Sequence, residues 1–301
     1  MENNVLKKEY DPSLYERATL EEYGYKDHKA LKMTWKIVSI ILLVLSVFML
    51  YFSIIVIAIQ SFNSSASTTK FVSFTFDNYI HMFDKPILNK AIMNTFQTSI
   101  IATAIATVLG TLIGIGAYYM NPKIKARLIL LNNIPLLNAD IVTGISIMII
   151  LQVIQLIPGF KHMFGFPTLL IAHVYFILPY VILNVLPKMR EIDPNMLDAS
   201  LDLGLKPTKA IRKVLIPAIK GGIFSGMVLA FTISFEDFVV GYFTTGNGFN
   251  TLSIWLYTNL KKELFPGVYA FSTALTIIMI VSVLLFGILK GRIENGKKKN
   301  S

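Results

Sequence analysis

The sequence predicts an all-α integral membrane protein with six transmembrane helices and a polar, helical island on the cytoplasmic side between the fourth and fifth. Three observations predict it. Of 301 residues 54% are hydrophobic and the mean hydropathy is +0.60, well beyond what a soluble domain of this length carries. The apolar residues gather into six runs, near 37–60, 90–119, 127–157, 168–187, 218–241 and 269–289. Each meets or approaches the roughly 20 helical residues that span a bilayer core, and only structures that bond their own backbone survive in lipid, so helices are expected. The third observation is the distribution of Lys and Arg. With the N-terminus inside, 22 of them flank the cytoplasmic ends of the runs and 6 the outer ends. That bias places both termini, and the island, in the cytoplasm. The net charge of +10 is thereby read as membrane topology, and no nucleic-acid partner is expected.

In chain order, residues 1–33 form a charged cytoplasmic tail in which Thr19-Leu20-Glu21-Glu22 has the form of a capping box. No cleavable signal peptide is expected, because the first apolar run is itself long enough to span. Residues 34–87 hold the first helix and an outer loop, residues 88–290 the main transmembrane domain with the island at 194–217, and residues 291–301 a basic tail whose Lys297–Lys299 suit anionic lipid. Ala102, Ala106, Gly110 and Gly114 in the second helix, and Gly222, Gly226, Ala230 and Ser234 in the fifth, place a small residue every four positions. That spacing predicts close helix packing. Asn121-Pro122 ends the second helix, and Gly165-Phe166-Pro167 marks an outer turn.

The island runs from Asp198 to Pro217, where the next apolar segment begins. Pro194 and Pro207 suit the first turns of two short helices, and Gly204 between them suits a sharp turn. Leu197, Leu201, Leu203, Ile211, Val214 and Leu215 offer apolar contacts, and Lys206, Lys209, Arg212 and Lys213 offer charge. Such a helix–turn–helix at a membrane surface predicts docking onto another protein.

The spacing of Asp198-Ala199-Ser200, Gly204, Val214, Ile216 and Pro217 resembles the Glu-Ala-Ala loop of binding-protein-dependent ABC transporter permeases. Asp stands for the Glu and Ser for the second Ala, with Val and Ile at the two aliphatic positions. The resemblance covers residues 40–290. Phe76-Asp77-Asn78-Tyr79, Asn94-Thr95-Phe96, Asp140-Ile141-Val142-Thr143-Gly144, Leu178-Pro179-Tyr180 and Ser234-Phe235-Glu236-Asp237-Phe238-Val239-Val240 are similar to the spermidine/putrescine subgroup. The resemblance implies an ABC type-1 transmembrane domain working by alternating access. It also implies a second permease subunit, two copies of a cytoplasmic ATPase, an extracytoplasmic binding protein, and a cell-membrane location. The island would be the coupling helix seated in a groove of the ATPase, with Asp198 and Gly204 at the contact. The chain has no phosphate-binding loop of its own. It is therefore not expected to be an enzyme or to bind a cofactor, and ATP and Mg would be used by the partner.

Acids inside apolar segments are costly, about 2.5–3.5 kcal/mol on insertion scales, and should face a pore or a partner. Asp140 lies 13 residues beyond Arg127, about 20 Å along an unbroken helix, with Pro135 a candidate break. Glu236 and Asp237 lie 19 and 20 residues beyond Pro217, about 28–30 Å along, near the outer mouth. A polyamine path needs spaced carboxylates and aromatic faces, for which Tyr175, Tyr180, Phe235, Phe238 and Tyr242 stand near these acids in the chain. Asp140 serves equally as a structural cap at a helix break, and Glu236 and Asp237 equally as groups facing outer water or the binding protein. His173 reads as a packing or hydrogen-bonding residue, because no second ligand stands at metal spacing. The chain has no Cys and lacks HExxH and GxSxG, so a membrane-embedded enzyme is a weak alternative. A permease for an amino-acid-like or phosphonate compound, or a stand-alone channel, are the other readings.

Overall fold

The apolar runs become helices in the computed structural model, which describes residues 29–65, 70–159, 164–193, 195–246, 248–259 and 265–281. The Thr19–Glu22 capping box, Pro194 and the basic end at Lys297–Lys299 lie outside the described residues. The elements are α1 (Lys29–Gln60), α2 (Asp77–Ile80), α3 (Pro86–Tyr119), α4 (Pro122–Leu137), α5 (Asp140–Gln155) and α6 (Phe166–Arg190). They continue with α7 (Asn195–Asp202), α8 (Pro207–Ala210), a π turn (Ile211–Leu215), α9 (Ile216–Glu236), α10 (Val239–Thr244), α11 (Leu252–Asn259) and α12 (Gly267–Val281). Among the described residues β pairing is limited to an isolated bridge, Asn63 with Phe74.

Four helical runs are long and apolar enough to cross a membrane: Met33–Gln60 of α1, α3, α6 and the continuous run Pro207–Glu236. The pair α4–α5 adds a fifth if it is one broken span, and α12 is a shorter apolar helix. All six apolar runs therefore fall on helix, the last described as far as Val281.

The chain divides into two compact units, one of Met1–Phe62 with Ser272–Ser301 and one of Asn63–Phe271. In the first, α1 is exposed from Met33 to Ile57 and mostly apolar on every face beyond Lys36, as suits a helix solvated by acyl chains. In the second, α3, α6 and α9 pack together, and their small residues explain how. A Cβ on Gly110 would lie 2.7 Å from Val181 Cβ, and one on Gly114 would lie 2.8 Å from Val185 Cγ1. On the same helix α6, a Cβ on Gly222 would meet the Asn184 carbonyl at 2.7 Å, and one on Gly226 would meet Val181 Cα at 3.1 Å. Both expected small-residue stripes therefore face the same helix, and α6 is the central element of the bundle. Val181, Val185, Met189 and Ile219 are fully buried there.

Asn63 organises the outer loop. Its Nδ2 donates to the Lys70 carbonyl at 2.8 Å, its Oδ1 accepts from Val72 N at 3.0 Å, and its carbonyl accepts from Asn78 Nδ2 at 2.8 Å. Near the start of α3, Asn94 Nδ2 donates to the Asn250 carbonyl at 2.9 Å and Thr95 Oγ1 accepts from Leu252 N at 2.8 Å, joining α3 to the segment that opens α11.

Two expectations are corrected. The third run is not one helix: α4 and α5 are bent by 104°. The break falls at Asn138-Ala139, both extended, while Pro135 lies inside α4. Asp140 thus opens a second half-helix, and a depth counted along an unbroken helix does not apply to it. In the fifth run, the helix is already formed before Pro217 and runs on through it, and it stops at Glu236 rather than at residue 241. Pro217 has no N–H to bond the Lys213 carbonyl and its ring crowds that turn. The π turn just before it, closed by Ile216 N to the Ile211 carbonyl, is the local widening that keeps the helix continuous.

Candidate functional site

The island folds as two helical pieces around Gly204. Gly204 N donates to the Leu201 carbonyl at 2.8 Å and Leu205 N to the Ser200 carbonyl at 3.2 Å, the paired bonds of a Schellman ending. Such an ending needs a left-handed residue, and Gly204 has φ +82°. Among the described residues, apart from its chain neighbours, nothing lies within 4 Å of where its Cβ would be, so its requirement here is conformational. Asp198 and Ala199 are exposed on α7, while Ser200 is buried and its hydroxyl donates to the Leu197 carbonyl at 2.6 Å. Leu203, at the tip, is 86% exposed. Pro217 lies beyond the π turn, within the helix that carries the island into the bundle.

The carboxylates of the interior have three different settings. Asp140 is exposed in the first turn of α5, where the helix dipole favours a negative charge. Thr143 and Gly144 follow it, and Gly144 allows α10 to approach closely, with Phe243 Cδ2 3.0 Å from a Cβ position. Glu236, at the end of α9, is exposed and has no ion-pair partner among the described residues. The side chain of Asp237 is only 4% exposed. Its Oδ1 accepts from Val240 N at 3.2 Å and its Oδ2 from Gly241 N at 2.7 Å. A side chain that offers the backbone such bonds competes with continuation of the helix, which is why α9 ends here and α10 begins.

His173 of α6 closes this corner. Its Nδ1 is 2.8 Å from Ser234 Oγ of α9 and its Nε2 is 3.5 Å from Asp237 Oδ2. His173 is 2% exposed, and it acts in hydrogen bonding and packing, as its sequence context suggested.

Aromatic rings crowd the same break. Phe238 stacks on Tyr257 at 4.5 Å between centroids and on Tyr242 at 5.4 Å, and Tyr242 is 5.8 Å from Tyr257. Phe235 meets Phe96 of α3 edge-on at 5.1 Å. Tyr257 was not legible from sequence, because it lies on α11 and only the fold returns it to Phe238. Tyr175 lies elsewhere, on α6, and lines two cavities. One, of about 350 Å³, also includes Asn138, Thr143 and Ser146, and the other, of about 310 Å³, includes Asn132, Pro135 and Pro179. Pro179 deprives the Tyr175 carbonyl of its helical donor, adding a polar atom to this wall. The structure thus places Glu236 and Asp237 at the break where the rings of Phe238, Tyr242 and Tyr257 meet one another, and Tyr175 beside the α4–α5 break.

The site features are an exposed turn at Gly204 and carboxylates at the breaks of a packed bundle of apolar helices. Residues 24–299 match the family of the binding-protein-dependent transport system inner membrane component, and the chain belongs to that family. It is 28% identical over 235 residues to the spermidine/putrescine transport system permease protein PotC of Escherichia coli (strain K12), covering 78% of this chain and 87% of that one. The putrescine transport system permease protein PotI of the same strain is 28% identical over 244 residues, covering 79% of this chain and 84% of that one. A solved structure, the crystal structure of a bacterial ABC transporter involved in the import of the acidic polysaccharide alginate, has a similar fold. It superposes with a TM-score of 0.63 at 15% identity over 88% of this chain and 98% of that one.

Proposed function

We propose that this chain is a permease subunit of an ATP-driven importer that moves a polyamine of the spermidine or putrescine type across the cell membrane by alternating access. The observation that carries the cationic substrate is Glu236, exposed and without an ion-pair partner among the described residues, at a helix break two residues before Phe238, whose ring contacts those of Tyr242 and Tyr257. A polyamine alternates ammonium groups with methylene links. A carboxylate answers the first, and aromatic faces answer both. Asp140 is a second exposed carboxylate at a second break, and Tyr175 lines the cavities next to that break. Asp237 contributes from behind as the group that shapes the corner. The names of the relatives PotC and PotI support the same substrate class.

The chain works with a second permease subunit, two copies of a cytoplasmic ATPase and an extracytoplasmic binding protein, within membrane lipid. Residues 88–290 are the transport domain, and both termini are cytoplasmic by the charge bias. The island at 194–217 docks on the ATPase through Asp198, Ala199, Gly204 and the exposed Leu203, with Ser200 bonding inward and Pro217 in the helix that carries the motion upward. ATP and Mg are held by the ATPase.

The test is co-purification of the assembled complex, reconstitution in vesicles, and measurement of ATP hydrolysis with the loaded binding protein. Spermidine or putrescine stimulating hydrolysis, and competing for uptake where an amino-acid-like or phosphonate compound does not, is the expected result. Stimulation by those compounds alone sinks the polyamine reading, and uptake insensitive to ATP sinks the importer.

A further inference from the structure

The acidic pair at the end of α9 is divided between two tasks, and a buried imidazole enforces the division. The side chain of Asp237 is almost fully buried and holds two backbone amides of α10, whereas the neighbouring Glu236 is exposed. Burying a carboxylate calls for a partner on each of its open sides. The same Oδ2 that accepts from Gly241 N also faces Nε2 of His173 at 3.5 Å, and that nitrogen is buried with no hydrogen-bond partner among the described residues. The other ring nitrogen is engaged by Ser234 Oγ. In a neutral ring with its hydrogen on Nδ1, a bare lone pair on Nε2 would point at a carboxylate. The remaining neutral tautomer and the imidazolium both place an N–H there instead.

We propose that His173 is a positioning residue for transport. It holds the Asp237 carboxylate on the amides of Val240 and Gly241, and so fixes the break between α9 and α10 and the place of Glu236. This rests on the reading of Glu236 as a contact for the cation. His173 comes from α6, the helix against which both small-residue stripes pack, so the tether references the break to the most buried part of the bundle. Ser234 belongs to the α9 stripe and bonds the ring from that helix, so the contact also joins α6 to α9.

The test uses the full complex reconstituted with its ATPase, second permease and binding protein, with His173→Leu, His173→Gln, Ser234→Ala and Glu236→Gln compared per amount of assembled complex. Two readouts are taken: amide hydrogen exchange across Val239–Thr244, and the half-saturating spermidine concentration for uptake. His173→Leu is expected to speed exchange at Val240 and Gly241 and to raise the half-saturating concentration by about tenfold, the scale of one lost charge-assisted contact. His173→Gln, which offers an N–H donor, should recover part of both, and Ser234→Ala, which only loosens the ring, should move both in the same direction by less. Unchanged exchange in both His173→Leu and Ser234→Ala overturns the tether. Faster exchange with an unchanged half-saturating concentration overturns its role in transport. Should exchange respond to His173→Leu while Glu236→Gln leaves uptake untouched, the substrate reading of Glu236 fails and the tether itself stands.

Discussion

Asp237 and Gly241 are bound together across one turn: the Gly241 amide donates to Asp237 Oδ2 at 2.7 Å, and a Cβ on Gly241 would stand 3.1 Å from that same oxygen. The carboxylate therefore caps α10 from a position that leaves no room for a larger residue. Asp237→Ala leaves two amides uncapped, and loss of a helix cap costs about 1 kcal/mol. A lower thermal midpoint is expected for Asp237→Ala than for the original chain, with Asp237→Asn between them because the amide oxygen still accepts. Equal midpoints for all three, measured in one detergent, would show that the cap is dispensable.

Gly221 and Gly222 are neighbours with opposite surroundings. A Cβ on Gly222 would meet the Asn184 carbonyl and Lys188 Cγ at 2.7 Å, while one on Gly221 would meet nothing within 4 Å. Overpacking of this kind costs about 1–3 kcal/mol, whereas a side chain added on the open face removes a helix-weakening glycine. Gly222→Ala is expected to lower the yield of folded, assembled complex, and Gly221→Ala to leave it the same or higher. Detergent stability of the two variants side by side checks this, and the reverse order would mean that α6 and α9 pack otherwise.

Gly204 has a left-handed backbone and open space around it. Within this chain an Asp there pays a modest conformational penalty, since Asp tolerates that region better than most residues. Any larger effect comes from what docks on the tip. Gly204→Asp is expected to leave the protein in the membrane while uncoupling ATP hydrolysis from uptake. Normal substrate-stimulated hydrolysis in the reconstituted mutant would remove the island from the coupling contact.

Glu236→Gln and Asp140→Asn remove charge from two exposed carboxylates with little change in shape. Loss of one charge-assisted contact, about 1.5–3 kcal/mol, corresponds to roughly 10- to 100-fold in affinity. Uptake of spermidine and putrescine should fall well below the level of complex assembly, with the larger effect at Glu236 because of its aromatic neighbours. If uptake of both compounds is unchanged in Glu236→Gln, the cation path lies elsewhere.

The membrane class, the six apolar runs, the small-residue packing faces of α3 and α9 and the bend at Gly204 were all legible in the sequence. Each is a local or periodic property: an apolar run long enough to span, a small residue every fourth position, a residue that accepts a positive φ. The breaks were harder to read. Pro135 looked like the point where the third run would break, yet it lies inside α4 and the chain turns at Asn138-Ala139. Pro217 looked like the end of the island, yet a π turn carries the helix past it.

The sequence by itself determined that this protein crosses the membrane, which residues lie between the fourth and fifth runs, and which three acids are costly enough in lipid to need a role. Only the tertiary structure decided how those acids differ. Asp237 and Glu236 are adjacent in the chain and similar in chemistry. One is buried and bonded because the α9–α10 break turns its carboxylate onto two free amides and toward His173, 64 residues earlier in the chain. The other is left exposed, at the same break where Phe238 meets Tyr257 from α11. Burial and partnership are properties of packed neighbours, and for a carboxylate they determine whether its charge is spent on the fold or left for a ligand.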